Sequence, residues 1–141
     1  MLARPSSARA GTILVVEDEE LLRLAVSKGL RRKGFSVIEA SDGSAAMDLL
    51  RTHIDILDVV LLDVTIPGKS SRQIFEQAQR LRPELKMIVT SAYGKETVYA
   101  TFTGMRVEHF IRKPFHLGDL VRLLQDTLSE VREHGRGHSG K

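Results

Sequence analysis

Cysteine is absent from the 141 residues. Without it there is no disulfide framework, no zinc–thiolate centre and no thiol nucleophile, an absence that suits the cytoplasm. No apolar run is long enough to cross a bilayer, so no membrane segment is expected. The first ten residues, Met1 to Ala10, carry positive charge but no apolar stretch, which excludes a secretory signal. Aromatic residues make up 5% of the chain and are not interleaved with the basic ones. The net charge of +3 is therefore read as solvated faces and charged tails, with no direct nucleic-acid partner. Arg4, Arg9, Arg132, Arg136 and Lys141 all lie at or near the ends. The five histidines, His53, His109, His116, His134 and His138, fall at no metal-ligand spacing.

What is present is enough for one domain with one core: the length is that of an ordinary domain, and 42% of the residues are hydrophobic. There is no internal repeat and no linker between residues 12 and 131. The expected organisation is a disordered leader or linker over residues 1–10, a globular domain over 11–133, and a disordered tail over 134–141, which has no apolar content.

Five short apolar runs rich in branched residues alternate with five helical patterns. Thr12 to Val16, Phe35 to Glu39, Ile56 to Leu62, Leu85 to Thr90 and Val107 to Ile111 read as strands. Between the first two, Leu22, Val26 and Leu30 recur every four residues with Leu21 and Ala25 alongside, a helical stripe closed by Gly34. Ala45, Ala46, Leu49 and Leu50 mark a second helix after the capping residues Ser41-Asp42-Gly43. Ile74, Phe75, Ala78 and Leu81 mark a third, which Pro83 ends. Val98, Tyr99 and Phe102 mark a weaker fourth, half core and half contact surface. Leu117, Leu120, Val121, Leu124, Leu128 and Val131 mark the clearest amphipathic helix of the chain. Strand–helix alternation of this kind predicts an α/β sandwich whose parallel sheet is covered on both faces. Right-handed crossovers then bring every strand's C-terminal end to one edge.

On that edge the sequence places Glu17 and Asp18 after the first strand, Asp63 after the third, Ser91 after the fourth and Lys113 after the fifth. Three carboxylates cannot crowd together without a counter-charge. An oxygen-only donor set suits a hard cation such as Mg2+ or Mn2+. Lys113 supplies a mobile point charge for a phosphoryl oxygen or a carboxylate, and Ser91 supplies a hydroxyl. Acid, metal, lysine and hydroxyl together can bind a phosphoryl group and neutralise the charge of its transfer. Asp63, at the centre, is the natural nucleophile and would form an acyl phosphate.

Val15-Val16-Glu17-Asp18, Leu61-Leu62-Asp63-Val64-Thr65-Ile66-Pro67, Thr90-Ser91-Ala92-Tyr93-Gly94 and Lys113-Pro114-Phe115 occur in that order, each after its own strand. Over residues 12 to 131 the chain resembles the receiver domains of two-component response regulators, which are similar to the chemotaxis regulators. The loop from Pro67 to Arg72 resembles that of receivers at the C-termini of hybrid histidine kinases. The resemblance implies a flavodoxin-like (βα)5 three-layer sandwich with a five-stranded parallel sheet in the order 2-1-3-4-5. It implies that Asp63 accepts phosphate from a phosphohistidine on a sensor histidine kinase or a histidine phosphotransfer protein. Asp18, Asp63 and the backbone carbonyl of Thr65 would hold Mg2+, with Glu17 acting through water or hydrogen bonds, and Lys113 would contact the phosphoryl group. Ser91, followed by the small Ala92, would be the switch hydroxyl and Phe110 the switch aromatic. The fourth helix, fifth strand and fifth helix would be the readout face for an output partner, and Pro114 matches a position usually held as a cis peptide.

Three features depart from the family pattern. Ser71 stands where a glycine is expected, so Ser70 and Ser71 are read as the N-cap region of the third helix. The switch position holds Phe110 rather than tyrosine. Thr65 and Tyr93 occupy positions that tune self-dephosphorylation, and the bulk of Tyr93 implies a longer-lived phosphoryl state. Two other classes are weighed against this reading. A haloacid-dehalogenase-like phosphatase needs a second Asp two residues beyond the nucleophile, where this chain has Thr65. A phosphorylation-independent binding module of the same fold would not need Asp18, Asp63 and Lys113.

Overall fold

The computed structural model describes the backbone of residues 10–139 and the side chains of residues 10–130. The expected leader, apart from Ala10, and the last two residues lie outside the described part. Strands and helices alternate without exception: β1 (Gly11–Val16), α1 (Glu20–Arg32), β2 (Phe35–Ala40), α2 (Gly43–His53), β3 (Val59–Asp63), α3 (Ser71–Leu81), β4 (Lys86–Ser91), α4 (Lys95–Thr101), β5 (His109–Arg112) and α5 (Leu117–Ser139). The five strands are all parallel, in the order β2-β1-β3-β4-β5. This is the flavodoxin-like sandwich the sequence implies.

Alternation along the buried strands divides the core in two. Leu14, Val16, Val60, Leu62, Met87 and Val89 face α2, α3 and α4, where Leu50, Phe75 and Phe102 complete one cluster. Ile13, Val15, Val59, Leu61 and Ile88 face α1 and α5, packing on Val26, Leu30, Leu120 and Leu124. Every residue of β3 is buried, because it has a strand on each side and helices above and below. At the rim of the sheet, β5 has no fully buried residue. The chain runs from β1 outward to β2 and then back past β1 to β3. That reversal opens a crevice at the C-terminal ends of β1 and β3, the usual ligand position in such sheets.

The structure corrects three details. Leu21 and Ala25 are exposed, Leu21 by 80%; α1 buries the stripe Val26, Gly29 and Leu30 together with Ser27, and Gly29 lies so close to α5 that a Cβ there would fall 2.3 Å from Leu117. β3 starts at Val59, not Ile56. The N–H groups of Ile56 and Leu57 both donate to the His53 carbonyl, at 3.0 and 3.1 Å, so the chain is still turning off α2, and Ile56 is 54% exposed. Finally, α5 is continuous to Ser139, past the point where a disordered tail is expected. Nothing between Val131 and His134 breaks a helix, and the glycines at 135 and 137 cost only about 1 kcal/mol each relative to alanine.

Among the described residues, no helix is long and apolar enough to cross a membrane.

Candidate functional site

The site lies in the crevice between β1 and β3. Glu17 follows the last residue of β1 and Asp63 is the last of β3, and both carboxylates are buried. Asp18, one residue further into the β1–α1 connection, is exposed. One oxygen from each of the three approaches the others within 4.8 Å. Lys113, just past β5, reaches back across the sheet edge. Its Nζ lies 2.7 Å from Glu17 Oε1 and 3.1 Å from Asp63 Oδ2. The peptide bond that follows, Lys113–Pro114, is cis.

The two buried acids are each held by backbone. The Glu19 N–H donates to Glu17 Oε2 at 3.0 Å, and the Thr65 N–H donates to Asp63 Oδ1 at 3.3 Å. Beneath them Arg23 of α1 donates to the Glu17 carbonyl at 3.0 Å and pairs with Glu39 of β2 at 3.3 Å. Arg23 was invisible as a site neighbour in the sequence, since an arginine four residues into a helix looks like any solvated charge.

Burial, and after it the neighbouring Glu17 carboxylate, push the Asp63 carboxyl up to about 6, against the pull of Lys113 and the Thr65 N–H. Burial opposes the Lys113 charge too, but Glu17 and Asp63 outweigh it and leave the ammonium's pKa raised. The site thus holds three carboxylates against one shared ammonium. A hard cation would relieve that imbalance, and an all-oxygen donor set fits one.

Ser91 closes β4 and is buried. Its hydroxyl accepts the Tyr93 N–H at 2.9 Å. Thr90 stands opposite Asp63 in the sheet register. Alternation nevertheless sets Thr90 on the α1/α5 side with Ile88 and Ser91 on the other side with Val89. Phe110 pairs with Val89 across β4 and β5 and packs against the same cluster as Val89. Ser91 and Phe110 therefore share a face of the sheet. Tyr93, in the loop beyond, is 59% exposed.

The β3–α3 connection is tied on several sides. The Gly43 N–H donates to the Pro67 carbonyl at 2.8 Å, and Gly68 has φ +84°, a conformation that favours glycine. A Cβ on Gly43 would fall 1.8 Å from the Lys69 carbonyl oxygen. Ser70 caps α3 in a reciprocal capping box with Gln73, as the sequence expects of the Ser70–Ser71 pair. Ser71 does something else: its buried hydroxyl donates to the Val64 carbonyl at 2.6 Å.

Residues 13–125 match the model of the response regulator receiver domain. A cyclic di-GMP phosphodiesterase of Thermotoga maritima is 33% identical over 112 residues, which are 79% of this chain but 29% of that protein. The chemotaxis protein CheY of Bacillus subtilis is 26% identical over 121 residues, covering 85% of this chain and 99% of CheY. Among solved structures, the CheX–CheY–BeF3–Mg2+ complex from Borrelia burgdorferi superimposes with a TM-score of 0.74 at 23% identity, over 82% of this chain and 87% of that one. Strand order, the acid-lined crevice and a family match across nearly the whole described core agree, and the chain belongs to the response regulator receiver domain family.

Proposed function

We propose that this receiver domain is a phosphoacceptor that takes a phosphoryl group from a phosphohistidine onto Asp63. The donor would be a sensor histidine kinase or a histidine phosphotransfer protein. An Asp63 carboxylate oxygen attacks phosphorus, the O–P bond of an acyl phosphate forms, the N–P bond breaks, and the imidazole leaves with its electron pair. The observation that carries this reading is the convergence of Lys113 Nζ, 3.1 Å from Asp63 Oδ2, with the Glu17 and Asp18 carboxylates on one buried aspartate. Lys113 would move from the carboxylates to the incoming phosphoryl oxygens, holding charge where it develops. Glu17, Asp18, Asp63 and the Thr65 backbone carbonyl would hold Mg2+ or Mn2+, which supplies further neutralisation of phosphoryl charge; Mg2+ is named in the CheY complex from Borrelia.

Phosphorylation would then bias a two-state equilibrium. The Ser91 hydroxyl would turn toward the phosphoryl group and Phe110, on the same sheet face, would follow. The readout would be the α4-β5-α5 face with the exposed Tyr99. The chain is a switch in this reading, not a turnover enzyme. The test is an intact-mass measurement after incubation with Mg2+ and acetyl phosphate. A single phosphoryl adduct is expected on the wild-type chain and none on Asp63→Ala; a wild-type chain that stays unmodified overturns the proposal.

A further inference from the structure

The peptide unit joining Val64 to Thr65 is gripped at both ends. Its N–H, on Thr65, donates to Asp63 Oδ1 at 3.3 Å. Its C=O, on Val64, accepts the Ser71 hydroxyl at 2.6 Å. The Val64 N–H in turn donates to the Thr90 carbonyl at 2.9 Å, fixing the preceding peptide to β4. Hydrogen bonds in series through one amide polarise and orient one another. Ser71 is buried and its hydroxyl hydrogen has this partner. We infer that Ser71 is a positioning residue for the phosphoacceptor: its hydroxyl sets the rotation of the Val64–Thr65 peptide and so aims the Thr65 N–H at Asp63. Ser71 does not touch the reacting atoms; it acts through that peptide. This deepens the proposed function and rests on it.

The alternative is that Ser71 serves only to start α3. The structure separates the two roles. The N-cap is Ser70, which accepts the Gln73 N–H at 3.1 Å and receives the Gln73 side chain on its own N–H at 2.9 Å. That box is complete without Ser71. Removing the Ser71 hydroxyl should therefore leave the helix start intact while freeing the peptide.

The experiment compares Ser71→Ala with Ser70→Ala in the full chain, using acetyl phosphate with Mg2+ and, in parallel, the amide NMR spectrum. Ser71→Ala is expected to slow Asp63 phosphorylation about three- to tenfold, the worth of one hydrogen bond, and to shift the Thr65 amide proton in the unphosphorylated protein. Ser70→Ala is expected to lower the melting temperature and leave both the rate and the Thr65 amide unchanged. Should Ser71→Ala fail to fold, Ser71→Gly, which lacks the same hydroxyl, takes its place. A wild-type rate and an unmoved Thr65 amide in the hydroxyl-less variant overturn the inference, as does a rate that merely follows melting temperature across both variants. If the wild-type chain takes up no phosphoryl group, the proposed function fails instead, and the Thr65 amide shift still decides whether Ser71 orients the peptide.

Discussion

The two connections that flank Asp63 differ in how they are held. The β3–α3 connection is fixed by the Thr90, Ser71 and Pro67 hydrogen bonds, by the capping box, and by close contact between Lys69 and Gly43. The β4–α4 connection has the Tyr93–Ser91 bond, leads into a seven-residue helix without a side-chain cap, and leaves Tyr93 and Tyr99 more than half exposed. Few buried contacts and open backbone mark the segments that move at low cost. One side of the site is thus a fixed frame for the acid, and in the proposed function the other would be the side that responds to a phosphoryl group on it.

The largest effect expected from breaking this frame comes from Lys113→Ala. Losing the ammonium leaves Glu17 and Asp63 uncompensated where both are buried, and the cost should be about 3 kcal/mol, read by denaturant unfolding and partly restored by Mg2+. A pH series follows. Asp63 has its carboxyl raised from 3.8 to about 6 on folding, so the folded state binds that proton more tightly than the unfolded one. Its stabilising contribution is complete below about pH 4 and is lost as pH rises through about 6. The difference in melting temperature between wild type and Asp63→Asn should change across that window, and Mg2+ binding should weaken as pH falls through it. A flat difference would count against the raised carboxyl.

A sharper test sets two glycines side by side. Gly43→Ala forces a methyl onto the Lys69 backbone and should cost about 1–3 kcal/mol. Gly94→Ala meets the flexible ends of Glu96 at 3.3 Å and Arg112 at 4.0 Å and should stay within about 0.5 kcal/mol. Equal costs in chemical denaturation would erase the contrast between the two connections. The smallest change in stability is expected for Tyr93→Ala, which should leave the melting temperature in place. If the exposed ring restricts the attacking water, that variant's phosphoryl group should be lost faster in a mass-spectrometric time course.

The fold was legible because its central strands, β1, β3 and β4, are apolar runs rich in branched residues that the sheet buries on both faces, and because strand and helix patterns alternate along the whole core. The acids and the lysine were legible for the same reason: a charge at the end of such a run has one edge to go to. The exposed Leu21 and the late start of β3 were not, since which leucine of a helix faces the sheet is decided by packing and not by spacing alone. The role of Ser71 was hidden deeper. Its partner is a backbone carbonyl seven residues away, and carbonyls look alike in every sequence. Asp58 is a similar case: its carboxylate accepts the Thr12 N–H from 46 residues away, and no local pattern announces it.

Gly104 sits in the α4–β5 connection with φ +82° and nothing within 4 Å of the place a side chain would occupy. Where Gly43 leaves no room for one extra carbon, this turn stands open to solvent. Its positive φ strains any side chain at Gly104 itself, so a fluorescent reporter belongs on the neighbouring exposed Arg106, next to the face that would report the signal and away from the crevice that would receive it.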